Sequence, residues 1–370
     1  MVMEKPVKIS VLHVILLSMT VIGLKNHVTI LPPILDVGKR DGWMSVILGA
    51  IIILPWLLLL PYTAKQFKDQ SFNAWLNQKI GKNFSKVLRF IIAFYLIVTC
   101  AFTLREISQW GATTFLPRTP IILCIAVFIV LCVLLATMGI QTLVIINVIV
   151  LFGVIVLGFF VAFVNIQVKD VELLRPFLEH GIEPVFLASV YPAAGYVELL
   201  IFILIQHQVK TTVKFKHYVL MLFLLVGLTT GPLIGAITEF GPLEAAKQRY
   251  PAYEEWGLVS IGRFIEHLDF FSIYQWMTGV FIRVSFLLYI ATHLLNIQHD
   301  ARKVWTYIAP MLALISLVLL LLGEQQFIDI NGHEFQVITF IFFFVLGFLF
   351  ALFTFIKKKS SKKKEELYVE

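Results

Sequence analysis

Five ionisable side chains, Lys25, Arg105, Glu106, Glu198 and Arg283, fall inside long apolar stretches of this 370-residue chain. If those stretches cross a membrane, each buried charge costs at least ~2.5 kcal/mol. Such a charge pairs with another, or faces a polar cavity where it handles a solute or a proton. An inward ion pair that merely pins two helices is the plain alternative for any one of them. Arg105 and Glu106 are sequence neighbours, so on a helix they point ~100° apart and each needs a partner elsewhere. Lys25 belongs to a polar run, Lys25-Asn26-His27 and then Thr29, that follows Gly23. Glu198 follows Tyr191-Pro192-Ala193-Ala194-Gly195-Tyr196, where Pro192 has no N–H and Gly195 is helix-weak. A helix broken at either run would expose backbone N–H and C=O groups to a ligand or ion. A simple proline kink is the alternative at the second. No histidine stands at metal-ligand spacing, and H-E-x-x-H, G-x-S-x-G and P-loop patterns are absent. The expectation is no metal, no cofactor and no enzyme. Cys100, Cys124 and Cys132 sit in apolar runs and read as small core residues.

The elements that hold these groups follow from composition. Hydrophobic residues make up 59% of the chain and charged residues 14%, against roughly 25% charged in soluble domains. So few charges cannot wet the outside of a soluble core, and the solvent for most of the chain is lipid. A spanning helix needs ~20 mostly apolar residues. Ten stretches qualify, at about 9–34, 42–63, 88–116, 120–138, 142–165, 184–207, 217–239, 267–296, 304–323 and 335–356. They form a single, all-α polytopic membrane domain. The first stretch lacks a signal-peptide cleavage site and reads as a retained helix. Ten spans divide into two sets of five, about 9–165 and 184–356, of opposite sense in the bilayer. Long linkers after spans 2 and 7, each followed by an unusually long span, support that division. Inverted repeats with a broken first helix in each half, here spans 1 and 6, mark secondary transporter folds.

Lys and Arg concentrate in the loops on the N-terminal side, which places both termini in the cytoplasm. The net charge of +7 comes mainly from that side, including the tail 357–370 with its two lysine triplets. Such a tail attracts anionic membrane lipids, and no basic domain exists to bind nucleic acid. Polar stripes run along span 3 (Thr99, Thr103, Glu106, Thr113) and span 8 (Thr278, Ser285, Tyr289, Thr292, Asn296). They line a polar path or bond helix to helix. Gly227, Gly231 and Gly235 in span 7 form overlapping G-x-x-x-G units, an expectation of close helix packing.

The chain also resembles the spore germination permeases, the B subunits of GerA-type germinant receptors, within the amino acid–polyamine–organocation superfamily. The carrying residues, in order, are Leu31-Pro32, Asp41-Gly42-Trp43, Arg118-Thr119-Pro120, Leu174-Arg175-Pro176 with Gly181 and Pro184, Glu198, and Asp269 with Trp276. The resemblance covers essentially the whole chain. It implies a LeuT-like 5+5 inverted repeat and residence in the spore inner membrane. It implies partnership with an A subunit and a lipoprotein C subunit, and binding of a small germinant, often an amino acid. Many superfamily members have a Gly-rich break in span 1 where this chain has Lys25-Asn26-His27. A zwitterion between the two breaks would meet Asn26, His27, Thr29, Ala194 and Gly195. Lys25, Arg105, Glu106, Glu198 and Arg283 would form the gating charge network, with Lys25 facing Glu198. Two other readings use the same fold, a proton-coupled amino acid transporter and an assembly subunit without a ligand.

Overall fold

Lipid offers no hydrogen bonds, so each apolar stretch must satisfy its own backbone and winds into a helix. The computed structural model describes residues 8–67, 70–262 and 267–356, which are almost entirely helical. The basic tail at 357–370 lies outside the described residues. Among the described residues, eight helices are long and apolar enough to cross a membrane, and Val11–His27 and Ile121–Thr137 are shorter apolar helices. These make up the ten spans, because the helical run Leu31–Phe67 holds both the second half of span 1 and all of span 2. The chain turns between the two at Lys39, a residue with positive φ.

Span 1 is wound from Val11 to Val21 and from Gly23 to His27, and resumes at Leu31–Gly38. The gap at Val28–Ile30 has a covalent cause. Pro32 and Pro33 occupy the first turn of the second piece, where a missing N–H is tolerated. They therefore leave the carbonyls of Val28 and Thr29, four residues earlier, without helical donors. Span 6 behaves differently. Tyr191 to Tyr196 stay α-helical, and the winding tightens one turn later into a 3-10 segment at Val197–Leu200 before Ile201–Leu204. Its interruptions are a one-residue turn at Ser189, between Glu183–Ala188 and Val190–Tyr196, and a change of pitch around Glu198.

Spans 6 and 8 form the centre, with 89% and 78% of their most apolar windows buried, against 22% for span 5 (Ile140–Val164). Span 8 (Phe271–Leu294) lies along span 3 (Lys82–Thr114). Large apolar side chains such as Ile51, Phe152 and Leu352 are exposed on the periphery and face lipid. In span 7 (Phe215–Phe240) the glycine expectation holds at one position only. Among the described residues, a Cβ on Gly227 or Gly231 would meet nothing within 4 Å, whereas one on Gly235 would strike the Glu255 carboxyl at 2.7 Å. Two of the three glycines lie on the exposed side of the helix, where the pattern has no partner to bring close.

Glu255 comes from the linker helix Pro251–Gly257, which packs on the far end of span 7. Asn165 ties the same corner, donating to Glu239 Oε2 at 3.0 Å and to the Glu255 carbonyl at 2.7 Å. Lys169 Nζ stands 3.5 Å from Glu239 Oε1. Burial, and then the neighbouring Glu239 carboxylate, push the Glu255 carboxyl well above the ordinary 4.5, against the opposing charge of Lys169. The protonated form is thus the one the fold favours. Its stabilisation is complete below the unfolded value and is lost as pH rises through the raised one. Glu255→Gln should raise the thermal midpoint of the detergent-solubilised protein at mildly alkaline pH and change it little at acidic pH. Melting curves across that range check this, and a shift independent of pH would contradict it.

Candidate functional site

Where the two interrupted helices cross, Glu198 is gripped by two cations. Lys25 Nζ lies 2.8 Å from its Oε1, and Arg283 reaches Oε2 at 2.8 Å and Oε1 at 3.1 Å. All three residues are buried. Lys25 also donates to the carbonyl of Ala194 at 3.2 Å, beside the tightened turn of span 6. Arg283 donates to the carbonyl of Val21, just ahead of the polar run in span 1. The triad therefore stitches spans 1, 6 and 8 together through side chains and backbone at once. A bidentate guanidinium with a second cation supplies the geometry a buried carboxylate needs in low dielectric.

Glu106, on span 3, lies across a small cavity from this triad. It accepts a hydrogen bond from Thr29 Oγ1 at 2.9 Å. The cavity has a volume of about 20 Å³, room for one water-sized molecule. Thr99 and Thr103 of span 3 line it, as do Phe102, Trp276, Asn331, Phe335 and Gln336. The last three come from span 10, and a search for charge inside apolar stretches passes them over. Gln336 was nevertheless legible as a polar residue within an apolar span, whereas Asn331 precedes the span at 335–356 and joins it only because the helix begins earlier, at Glu324. Both ends of the site are closed. On the side of the N-terminus, Ile9 bridges to Val209, and Gln208 binds His293 at 2.6 Å and Tyr289 at 2.7 Å. On the other side, Trp276 packs against Trp110 and Tyr250, with ring centroids 4.4 and 4.7 Å apart, and Tyr191 binds His333 at 2.9 Å.

The remaining candidate residues lie elsewhere. Asn26 and His27 point toward span 7, Asn26 donating to Thr229 Oγ1 at 3.2 Å and His27 Nδ1 standing 3.0 Å from the Leu228 carbonyl. Ala194 and Gly195 are buried in the joint between spans. A Cβ on Gly195 would occupy the place of Asn26 Oδ1, so only glycine lets span 1 approach this closely. Arg105 stands apart from the triad. It binds the carbonyls of Leu319 and Leu322, the latter at 2.9 Å, and lies 3.9 Å over the Phe327 ring. A cation at those last carbonyls closes the C-terminal end of span 9 (Ala309–Leu320) and complements its dipole. Arg89 does the same for span 8 through the Leu294 carbonyl at 2.9 Å.

Ten helical spans in which spans 1 and 6 depart from regular winding around a central buried charge define a polytopic membrane protein of the transporter type. The solved structure of MhsT in complex with L-phenylalanine has the same fold, a LeuT-type bundle. The TM-score is 0.66 at 12% sequence identity, over 94% of this chain and 89% of that one. The sequence profile of the family described as "Spore germination protein" matches residues 8–328, and the chain belongs to that family. Spore germination protein XB of Bacillus anthracis is 35% identical over 340 residues, 92% of this chain and 96% of that protein. Spore germination protein KB of Bacillus subtilis (strain 168) is 25% identical over 334 residues, 88% and 89% of the two.

The triad is asymmetric, and its loss should be too. Glu198→Gln leaves two buried cations facing each other and should cost about 3–5 kcal/mol. Lys25→Gln leaves the Arg283–Glu198 fork intact and should cost clearly less. Thermal denaturation of the two purified variants checks the order; equal losses would contradict it. Gly195→Ala should cost about 1–3 kcal/mol by overpacking against Asn26. Adding Asn26→Ala should recover part of that loss, as a double-mutant cycle will read.

Proposed function

We propose that this integral membrane protein is the B-type subunit of a nutrient-germinant receptor. In this reading it binds a small amino-acid-like germinant in the cavity between the Lys25–Glu198–Arg283 triad and Glu106. It resides in the spore inner membrane with both termini in the cytoplasm, and it works with an A-type subunit and a C-type lipoprotein subunit. The protein is a sensor and not a catalyst. The observation that carries the reading is the buried triad joining the two irregular helices, in a chain similar over nearly its whole length to spore germination proteins. Its likeness in fold to a protein solved with L-phenylalanine supports a site of amino-acid size in this architecture.

Signalling requires the ligand to bind one conformation better than another. The closed cavity holds only a water-sized molecule, so a germinant must be admitted by separating the elements that cap it. The triad is the contact through which such a separation would be felt, because it touches spans 1, 6 and 8 together. The tightness of the cavity also favours a second reading, an assembly subunit that has no ligand of its own. A third, proton-coupled transport, draws on the fold alone, and uptake by proteoliposomes under a pH gradient separates it.

The decisive experiment replaces Glu198 by Gln, and separately Lys25 by Gln, in spores with matched receptor levels. Both should shift the germinant dose–response to higher concentration or abolish it. Unchanged responses in both variants would overturn the sensor role of the triad.

A further inference from the structure

The two walls of the central cavity differ in what they offer a ligand. On one side the triad carries two cations and one carboxylate, a net surplus of one positive charge. On the other stands Glu106, and among the described residues no cation lies within salt-bridge distance of it. Around Glu106 the hydroxyl protons are already committed within the protein. Thr29 donates to Glu106 at 2.9 Å, Thr99 to the Tyr95 carbonyl at 3.0 Å and Thr103 to the Thr99 carbonyl at 2.9 Å. What these groups have left for a ligand is lone pairs. A carboxylate accepts at about four sites and a hydroxyl oxygen at two, so the carboxylate and the three hydroxyls are rich in acceptors and have no hydroxyl proton to give; the N–H donors on this side come from the Asn331 amide, which stands against Glu106, and from Gln336. Across from it, Lys25 has three N–H donors, and Glu198 and the Ala194 carbonyl take two. One donor remains.

A ligand that satisfies both walls carries a compact group with several donors and a positive charge at one end, and an acceptor at the other. We propose that Glu106 receives the ammonium group of a zwitterionic ligand, with Thr29, Thr99 and Thr103 completing its hydrogen bonds, while the ligand's carboxylate takes the free N–H of Lys25. The assignment rests on the cavity being the ligand site, as proposed above. It adds to that reading which end of the ligand lies where, and why a molecule without an amine is refused. An amine missing from the ligand would leave the Glu106 carboxylate buried without a counter-charge, the situation that makes polar sites selective.

The test uses the full chain purified into nanodiscs. Binding of L-alanine, L-valine and L-phenylalanine is measured against the matching 2-hydroxy acids, in sodium buffer and in choline buffer. The expected result is binding of at least one amino acid about ten- to a hundredfold tighter than its hydroxy acid. Glu106→Gln should collapse that ratio toward unity, while the ligand-free thermal midpoint reports that the variant is folded. The wild-type ratio needs no variant, so a Glu106→Gln protein that fails to fold leaves the test intact. Equal binding of amino acid and hydroxy acid would overturn the assignment of Glu106 and leave the cavity as a binding site. Equal binding that also needs sodium would give the acceptor wall to a metal cation, and the ammonium assignment would be overturned in that case too. If none of the probes binds the wild-type chain, the assignment falls together with the reading of the cavity as an amino acid site.

Discussion

One buried carboxylate held between two buried cations organises this protein. The Coulomb attraction of Glu198 for Lys25 and Arg283 is strong because the surroundings screen it poorly, and for the same reason none of the three can be left alone. The charges come from three spans far apart in sequence, so the triad specifies how those spans meet as well as holding them. Its backbone contacts extend that control. Lys25 engages the Ala194 carbonyl and Arg283 the Val21 carbonyl, so the irregular stretches of spans 1 and 6 are fixed by the same cations. The hydrophobic effect gives helices in lipid little reason to choose one rotation over another, which leaves the choice to close packing and polar contacts. A buried ion cluster supplies that choice.

Much of this could be read directly from the residues, for a physical reason. A membrane enforces one rule on every backbone, so hydropathy locates the ten spans, and a charge within one stands out against its neighbours. Lys25, Glu198 and Arg283 were legible as inward-facing groups on those grounds. The rest depended on geometry that spacing does not encode. Arg105 looks in sequence like any other intramembrane charge, yet its partners are carbonyls at the end of span 9, and every helix end offers such carbonyls. Asn26 and His27 sit next to Lys25 and still face another helix, because one residue of helical rotation is ~100°. The glycines of span 7 repeat at the right interval for close packing. Interval says nothing about whether a neighbour is there, and at Gly227 and Gly231 none stands among the described residues.

The span 6 interruption teaches a related lesson. Pro192 and Gly195 are the residues that weaken a helix in isolation; the α-helix is interrupted for one residue at Ser189, in the turn before Pro192, runs on through both residues from Val190 to Tyr196, and changes pitch after Tyr196. Gly195 serves a different end, admitting the side chain of Asn26 against the backbone. The winding yields where Glu198 must reach two cations and where the Ala194 carbonyl takes a bond from Lys25. Tertiary electrostatics act at this second place, and the missing N–H of Pro192 at the first.

The paired prolines at 32 and 33 carry a mechanical consequence. Two rungs of the hydrogen-bond ladder that would weld Leu31–Gly38 to the preceding helix are absent by covalent structure, not by thermal opening. Swinging that short segment about Val28–Ile30 therefore sacrifices neither of those two bonds. The resistance it meets comes from its buried apolar side chains, Leu31, Ile34 and Leu35, and from the Thr29–Glu106 hydrogen bond at the joint. The joint is cut in advance, and packing around it holds it in place.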